Sequence, residues 1–323
     1  GGGGGGGGSV LVAERFTVSG VSSSSWKTHT FSKTFVTPVA VCTPVYASGA
    51  VSSNPPVAPR LRNVGPTSLD IRASIAAPSG SVTLSFNCFV VEQGTWTSAT
   101  DGVNLYATAS EVTRTDGTNS WPNGADAAPA PFSSTPVVFS QIQTANDMDF
   151  QAAWSYGTTG KNVPNSEIGY GRMVGGDPDK TRAAESVGMI VMESGSQTVD
   201  GLDVYVGRAS INGIENNLNT VSVPTGFASA SIGVVSQMGM AGGDGGWGVL
   251  VGPDAVTASS IRASIDEEQF SDAERKHTSE VIGYAVFSGA AAPSPAPSSA
   301  PSPDPSPAPS PPPSPAPSPP PSP

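Results

Sequence analysis

EVIGYAVFSG, residues Glu280–Gly289, is the stretch from which the fold is read. It has two echoes upstream, ESVGMIVMESG at Glu185–Gly195 and SFNCFVVEQG at Ser85–Gly94. Each is a short apolar run, rich in β-branched or aromatic residues, that stops at polar residues and a glycine. That is the pattern of a buried strand ending in a turn. In the last copy Val281, Ala285 and Phe287 lie on one face, and Ile282, Tyr284 and Val286 lie on the other. Both faces are apolar, whereas a two-sheet sandwich buries only one of them. The second face therefore needs a neighbouring module or subunit.

Working outward, each copy closes a segment of about 100 residues, and internal repetition fixes architecture before any local detail. SVLVAERFTV at Ser9–Val18 reads as an opening strand. Gly102–Thr108 (GVNLYAT) and Gly201–Gly207 (GLDVYVG) resemble it, each entered through an Asp-Gly turn. Ile-Arg-Ala-Ser-Ile occurs at Ile71 and again at Ile261, and Thr-Pro-Val follows both Phe35 and Phe132. The reading is an all-β chain of three tandem antiparallel β-sandwich modules, residues 9–100, 101–200 and 201–289, each of about six strands. Residues 1–8 are polyglycine, which has no side chains to pack and serves as a linker or lies along another surface. The absence of an initiator Met makes the chain read as a processed or partial product.

Composition narrows the function classes. Glycine (38) and proline (32) far outweigh what helices tolerate, and only 13% of residues are charged. Net charge is −11 with no Lys/Arg run, so neither nucleic acid nor an anionic membrane is expected as a partner. No apolar stretch reaches the ~20 residues of a membrane-spanning helix, so no insertion is expected either. Cys42 and Cys88 fall in core strands of one module and read as a disulfide, with two buried free thiols as the alternative. His29 and His277 are the only imidazoles, and neither sits in a nucleophile motif, so no enzyme and no cofactor are expected. The carboxylates Asp177 and Asp179, and the run Asp266, Glu267 and Glu268, match no calcium loop and read as solvated polar loops. GMAGGDGGWG from Gly239 lacks the Lys and Ser/Thr of a phosphate loop and reads as a wide turn. Trp96, Trp121 and Trp154 read as core or interface residues rather than sugar platforms.

HTFSKTF, TPVAV, RLRNV with LDIRAS, and above all RKHTSEVIGYAVF at Arg275–Phe287 resemble in their order the H-type lectin domain. The resemblance implies a six-stranded antiparallel sandwich that assembles in threes and binds sugars at loops between subunits. His277, beside the last strand, is then the candidate sugar contact.

From Ala290 the composition changes: 17 of the 32 prolines and a single charge, Asp304, fall in residues 290–323. Proline fixes φ and removes donors, so this tail reads as extended polyproline II with no core. Ser306, Ser310, Ser314, Ser318 and Ser322 recur every four residues. With three residues per turn, each is rotated by about 120° from the last, and serines face every side of the rod. The SPPP and SPAP units resemble the hydroxyproline-rich glycoproteins of plant and green-algal walls, although the cross-linking tyrosines of extensins are missing. That resemblance implies hydroxylation and O-linked glycans, with candidates at Pro303, Pro305, Ser306, Pro307, Pro309, Ser310, Pro311, Pro312, Pro313, Ser314, Pro315, Pro317, Ser318 and Pro319. No N-x-[ST] sequon occurs.

The expected function is a structural subunit of an extracellular glycoprotein filament in a cell wall or on a cell-surface or flagellar appendage. Copies would assemble with one another head-to-tail through their Gly- and Pro-rich ends and through the closing-strand residues Val281, Ile282, Tyr284, Val286 and Phe287. The alternative is a lectin or adhesin that takes wall or surface glycans and stands on a glycosylated stalk.

Overall fold

A computed structural model describes residues 10–47, 54–116, 126–127, 132, 136–215, 218–271 and 273–289. The polyglycine, Trp121 and the whole of 290–323 lie outside the described residues, and with them every hydroxylation and glycosylation candidate. What is described is all-β, apart from the four-residue helix α1 (Ser98–Asp101).

The strands fall into three sets of six. The first comprises β1 (Ala13–Ser22), β2 (Lys27–Thr30), β3 (Pro38–Tyr46), β4 (Val57–Gly65), β5 (Ser68–Ile75) and β6 (Thr83–Glu92). After the short β7 (Gly94–Trp96) come β8 (Leu105–Val112), β9 (Asp126–Ala127), β10 (Val137–Ile142), β11 (Ala152–Tyr156), β12 (Glu167–Met173) and β13 (Glu185–Met192). After β14 (Gly195–Val199) come β15 (Leu202–Ile211), β16 (Asn219–Ser222), β17 (Ala230–Gln237), β18 (Trp247–Val251), β19 (Ser260–Asp266) and β20 (Glu280–Ser288). Pairing follows one rule throughout. The closing strand lies between the first and third of its set, giving β1-β6-β3, β8-β13-β10 and β15-β20-β17. The fifth lies between the second and fourth, giving β2-β5-β4, β9-β12-β11 and β16-β19-β18. All of these pairs are antiparallel.

The period-two alternation of the closing strands explains how the sets pack. Phe86, Cys88 and Val90 of β6 share a core with Phe16, Leu61, Leu69 and Ile71, between the two sheets of the first set. Phe89 and Val91, on the opposite face, join Leu105, Phe139 and Met189 of the second set and Val204, Val234, Ala285 and Phe287 of the third. In β20 the division recurs, with Ile282, Tyr284 and Val286 against Leu250 and Ile261 of their own set, and Ala285 and Phe287 in the shared centre. Phe89 and Phe287 meet there with ring centroids 4.9 Å apart. The second face of the closing strand is thus covered by the other sets, and the small sheets stand around a common apolar centre in a propeller-like arrangement.

Contacts between sets run one way round and close on themselves. β18 of the third set pairs in parallel with β3 of the first at Leu250 and Val45. Ser155 in β11 bridges in parallel to Met238, next to β17. Gln141 of β10 donates to the Pro59 carbonyl in β4 at 3.1 Å. The strands through Gly289 belong to one compact unit. Strands also pair across residues 100/101 and 200/201, since β7 is hydrogen-bonded to β8 and β14 to β15.

Cys42 and Cys88 face each other across β3 and β6 and are disulfide-bonded. The bond closes a loop 46 residues apart in sequence, so its loss should release loop entropy worth about 2–4 kcal/mol. Cys42→Ala/Cys88→Ala should lower the urea midpoint and steepen the slope, because the freed unfolded chain exposes more surface. Equal midpoints with and without reductant in the unmutated chain would contradict this.

Candidate functional site

Between the first and second sets the seam opens into a groove of about 480 Å³. Val36, Thr37, Pro38, Asn63, Val64, Pro66 and Gln93 line it from one side, and Ala109, Gln143, Thr144 and Ser186 from the other. Among the described residues no ionisable side chain lines it. What it presents is amides, hydroxyls and small apolar surfaces, Val36 being 82% exposed.

Buried carboxylates behind the surface build both walls. Glu92, at the end of β6, accepts from the amides of Val36 (2.7 Å) and Thr37 (2.6 Å) and fixes the loop before β3. Asn63, in the β4–β5 hairpin, has φ of 49°, a left-handed conformation that Asn tolerates better than most residues. Its amide donates to Asp70 at 2.9 Å. On the other wall Glu185, fully buried, accepts from the Thr144 hydroxyl, the amides of Asn146 (3.1 Å) and Asp147 (2.9 Å), and Gln151 Nε2 (3.2 Å). It also takes the guanidinium of Arg60, which reaches across the seam from β4 and is itself buried. Burial pulls the Arg60 pKa down and Glu185 pulls it back. Removing either partner would strand a charge in the interior. Gln143 is 4% exposed; its Oε1 accepts from Ala40 N at 3.3 Å, while its Nε2 has no hydrogen-bond partner among the described residues. The groove can therefore receive hydrogen bonds from, and donate them to, a neutral ligand rich in hydroxyls.

His277, the candidate sugar contact, is elsewhere and is a correction. It is 2% exposed, with Nε2 3.0 Å from Glu280 Oε1 and Nδ1 3.4 Å from Glu267 Oε1. Burial works against the imidazolium, but the two carboxylates outweigh it and lift the pKa to about 9. Glu280 also accepts from the amides of Ala241 and Gly242, so this cluster pins the loop between β17 and β18 as Glu185 pins that between β10 and β11.

The run Asp266–Glu268 is a second correction. All three are at most 3% exposed rather than solvated. Asp266 holds Arg275 by two bonds of 2.7 Å and accepts the Tyr46 hydroxyl across the seam between the third and first sets. Glu268 accepts from Gly176 N at 2.7 Å across the remaining seam. Burial, with Asp266 adding to it, raises the Tyr46 pKa well above the usual phenol value.

The closing-strand residues are a third correction. Ile282, Tyr284, Val286 and Phe287 are at most 4% exposed, and Val281 is partly buried against the shared centre. The chain covers these faces itself, Val281 in part. Trp96 and Trp154 are buried, as core residues should be.

Sequence reasoning missed Arg60, Gln143 and Tyr46, because the side-chain partners Glu185 and Asp266 and the amide of Ala40 lie more than 100 residues away and leave no local pattern. Glu185 and Glu280 did carry a signal: each opens a copy of the repeated closing strand. Comparison with family models, curated proteins and solved structures finds no match to this chain.

Because the folded His277 pKa lies above the ordinary 6.5, its stabilising effect is complete below about pH 6.5 and is lost as pH rises through 9. The difference is about 3 kcal/mol. His277→Asn should remove most of the extra melting temperature seen at pH 6 relative to pH 9.5. An unchanged pH difference in the variant would refute the clamp.

Proposed function

We propose that the chain is the glycan-binding head of an extracellular glycoprotein. Three antiparallel sandwich modules close into a ring, and the Pro/Ser-rich tail, hydroxylated and O-glycosylated, is its stalk. The repeated pairing order of the three strand sets supports the modular reading. The disulfide fits an oxidising, extracellular compartment.

The uncharged groove between the first and second sets carries the functional reading. Its lining comes from two strand sets, among the described residues it holds amides and hydroxyls without a charge, and Gln143 is one of the amides that line it. Neutral carbohydrate is the ligand class that these groups satisfy, since every sugar hydroxyl both donates and accepts. The closing-strand faces are covered within the chain, which favours a head over a filament joined through those strands.

The test is a neutral-glycan array probed with the full chain, followed by titration of the best ligand. Saturable binding is expected, weakened about tenfold by Gln143→Leu, the scale of one lost hydrogen bond to a buried polar group; the variant also loses the bond to Ala40 N and melts lower, so binding is read below its transition. No binding to any neutral glycan would remove this reading.

A further inference from the structure

On the β2-β5-β4 sheet two cations are gathered on one indole. The guanidinium carbon of Arg62 lies 4.3 Å from the centroid of the Trp26 ring and that of Arg72 lies 5.1 Å from it. The strand register explains the grouping. Arg62 is opposite Asp70, Asp70 is opposite Thr28, and Arg72 is two residues along the same face of β5. The intervening Leu61, Leu69 and Ile71 point into the core. Lys27, at the start of β2, lies opposite Ile71 and donates to the Ser19 carbonyl, so it is not part of this group. Two cations thus share this face with one carboxylate, Asp70, on a chain whose net charge is −11. The concentration of positive charge runs against the composition of the whole.

The two arginines differ in how they are satisfied. Arg62 Nε donates to Asp70 at 3.1 Å, and its side chain remains 40% exposed. Arg72 has a buried Nε without a partner among the described residues, and the like charge of Arg62 beside it. Stacking on an indole holds a guanidinium by its face and leaves its in-plane N–H groups directed outward. Such in-plane donors match a planar carboxylate in a bidentate geometry, and an arriving anion also relieves the repulsion between the two cations.

We propose that this face docks a carboxylated polysaccharide, a polyuronate chain. The carboxylate goes to Arg72 and to the exposed side of Arg62, and the apolar C–H face of a sugar ring lies against the half-exposed part of Trp26. An acidic peptide would use the charges but not the indole, and this makes the polyuronate the better match. The inference is independent of the neutral groove. It rests on different residues, so either can fail alone.

The experiment measures binding of the full chain to polygalacturonate, with polyglutamate and dextran sulfate as comparison polyanions, at low and near-physiological salt. Binding is expected to be strongest for polygalacturonate and to weaken with salt, as screened charge contacts do. Arg62→Lys/Arg72→Lys keeps the charge and removes the planar forks, and should cost about tenfold in Kd or more. Trp26→Leu should cost a similar factor. Intact melting curves for these surface variants separate lost docking from lost fold. Equal binding of polyglutamate, or an unaffected double-lysine variant, would reduce the face to nonspecific charge and overturn the proposal. Absence of polygalacturonate binding at low salt would overturn it as well.

Discussion

A strand that is apolar on both faces has no stable exposure to water, and β6 and β20 are such strands. Each large side chain buried there contributes about 1.5–3 kcal/mol, so leaving either face open would cost several times that. A pair of three-stranded sheets covers one face, through residues such as Cys88 and Tyr284. The other face is covered only where Phe89, Phe139 and Phe287 from different sets come together. The remaining features of the molecule follow from that meeting. The sets are committed to one another, their fourth strands come alongside the third strands of neighbours, and grooves are left where the seams reach the surface.

Polar groups at the seams are organised by the same closure. Arg60–Glu185 and Asp266–Arg275 with Tyr46 each lie across a junction or beside one, and each is buried with its hydrogen bonds largely met inside the chain. Such pairs add little net stability against a hydrophobic replacement but penalise any arrangement that separates the partners. They therefore set which surfaces meet. Glu92, Glu185 and Glu280 extend this inward role to loops, each accepting two backbone amides and holding a segment that would otherwise be free to move. Because the charges are turned inward at the first seam, the groove above them is left neutral.

Much of the strand content was legible from EVIGYAVFSG and its echoes, because period-two burial and glycine-ended turns are local signals. The same residues announced that a second face needed cover. They could not say whether the cover came from another molecule or from elsewhere in the chain, since Phe89 and Phe287 are nearly 200 residues apart. The disulfide was readable from two cysteines in neighbouring core strands. The charged clusters were misread for a physical reason: Asp266–Glu268 looks hydrophilic in sequence, yet Arg275, Tyr46 and the Gly176 amide make burial possible. His277 was misread likewise, its partners Glu267 and Glu280 lying within ten residues but turning it inward. Trp26 carried no signal, because its meaning depends on Arg62 and Arg72 arriving from two other strands.

The central claim is that three strand sets share one core and stand or fall together. Differential scanning calorimetry of the full chain tests it most directly. A single transition, with the van't Hoff enthalpy equal to the calorimetric enthalpy, is what a shared centre requires. Separate transitions, or a van't Hoff enthalpy near one third of the calorimetric value, would mean that the sets unfold independently and would contradict the account.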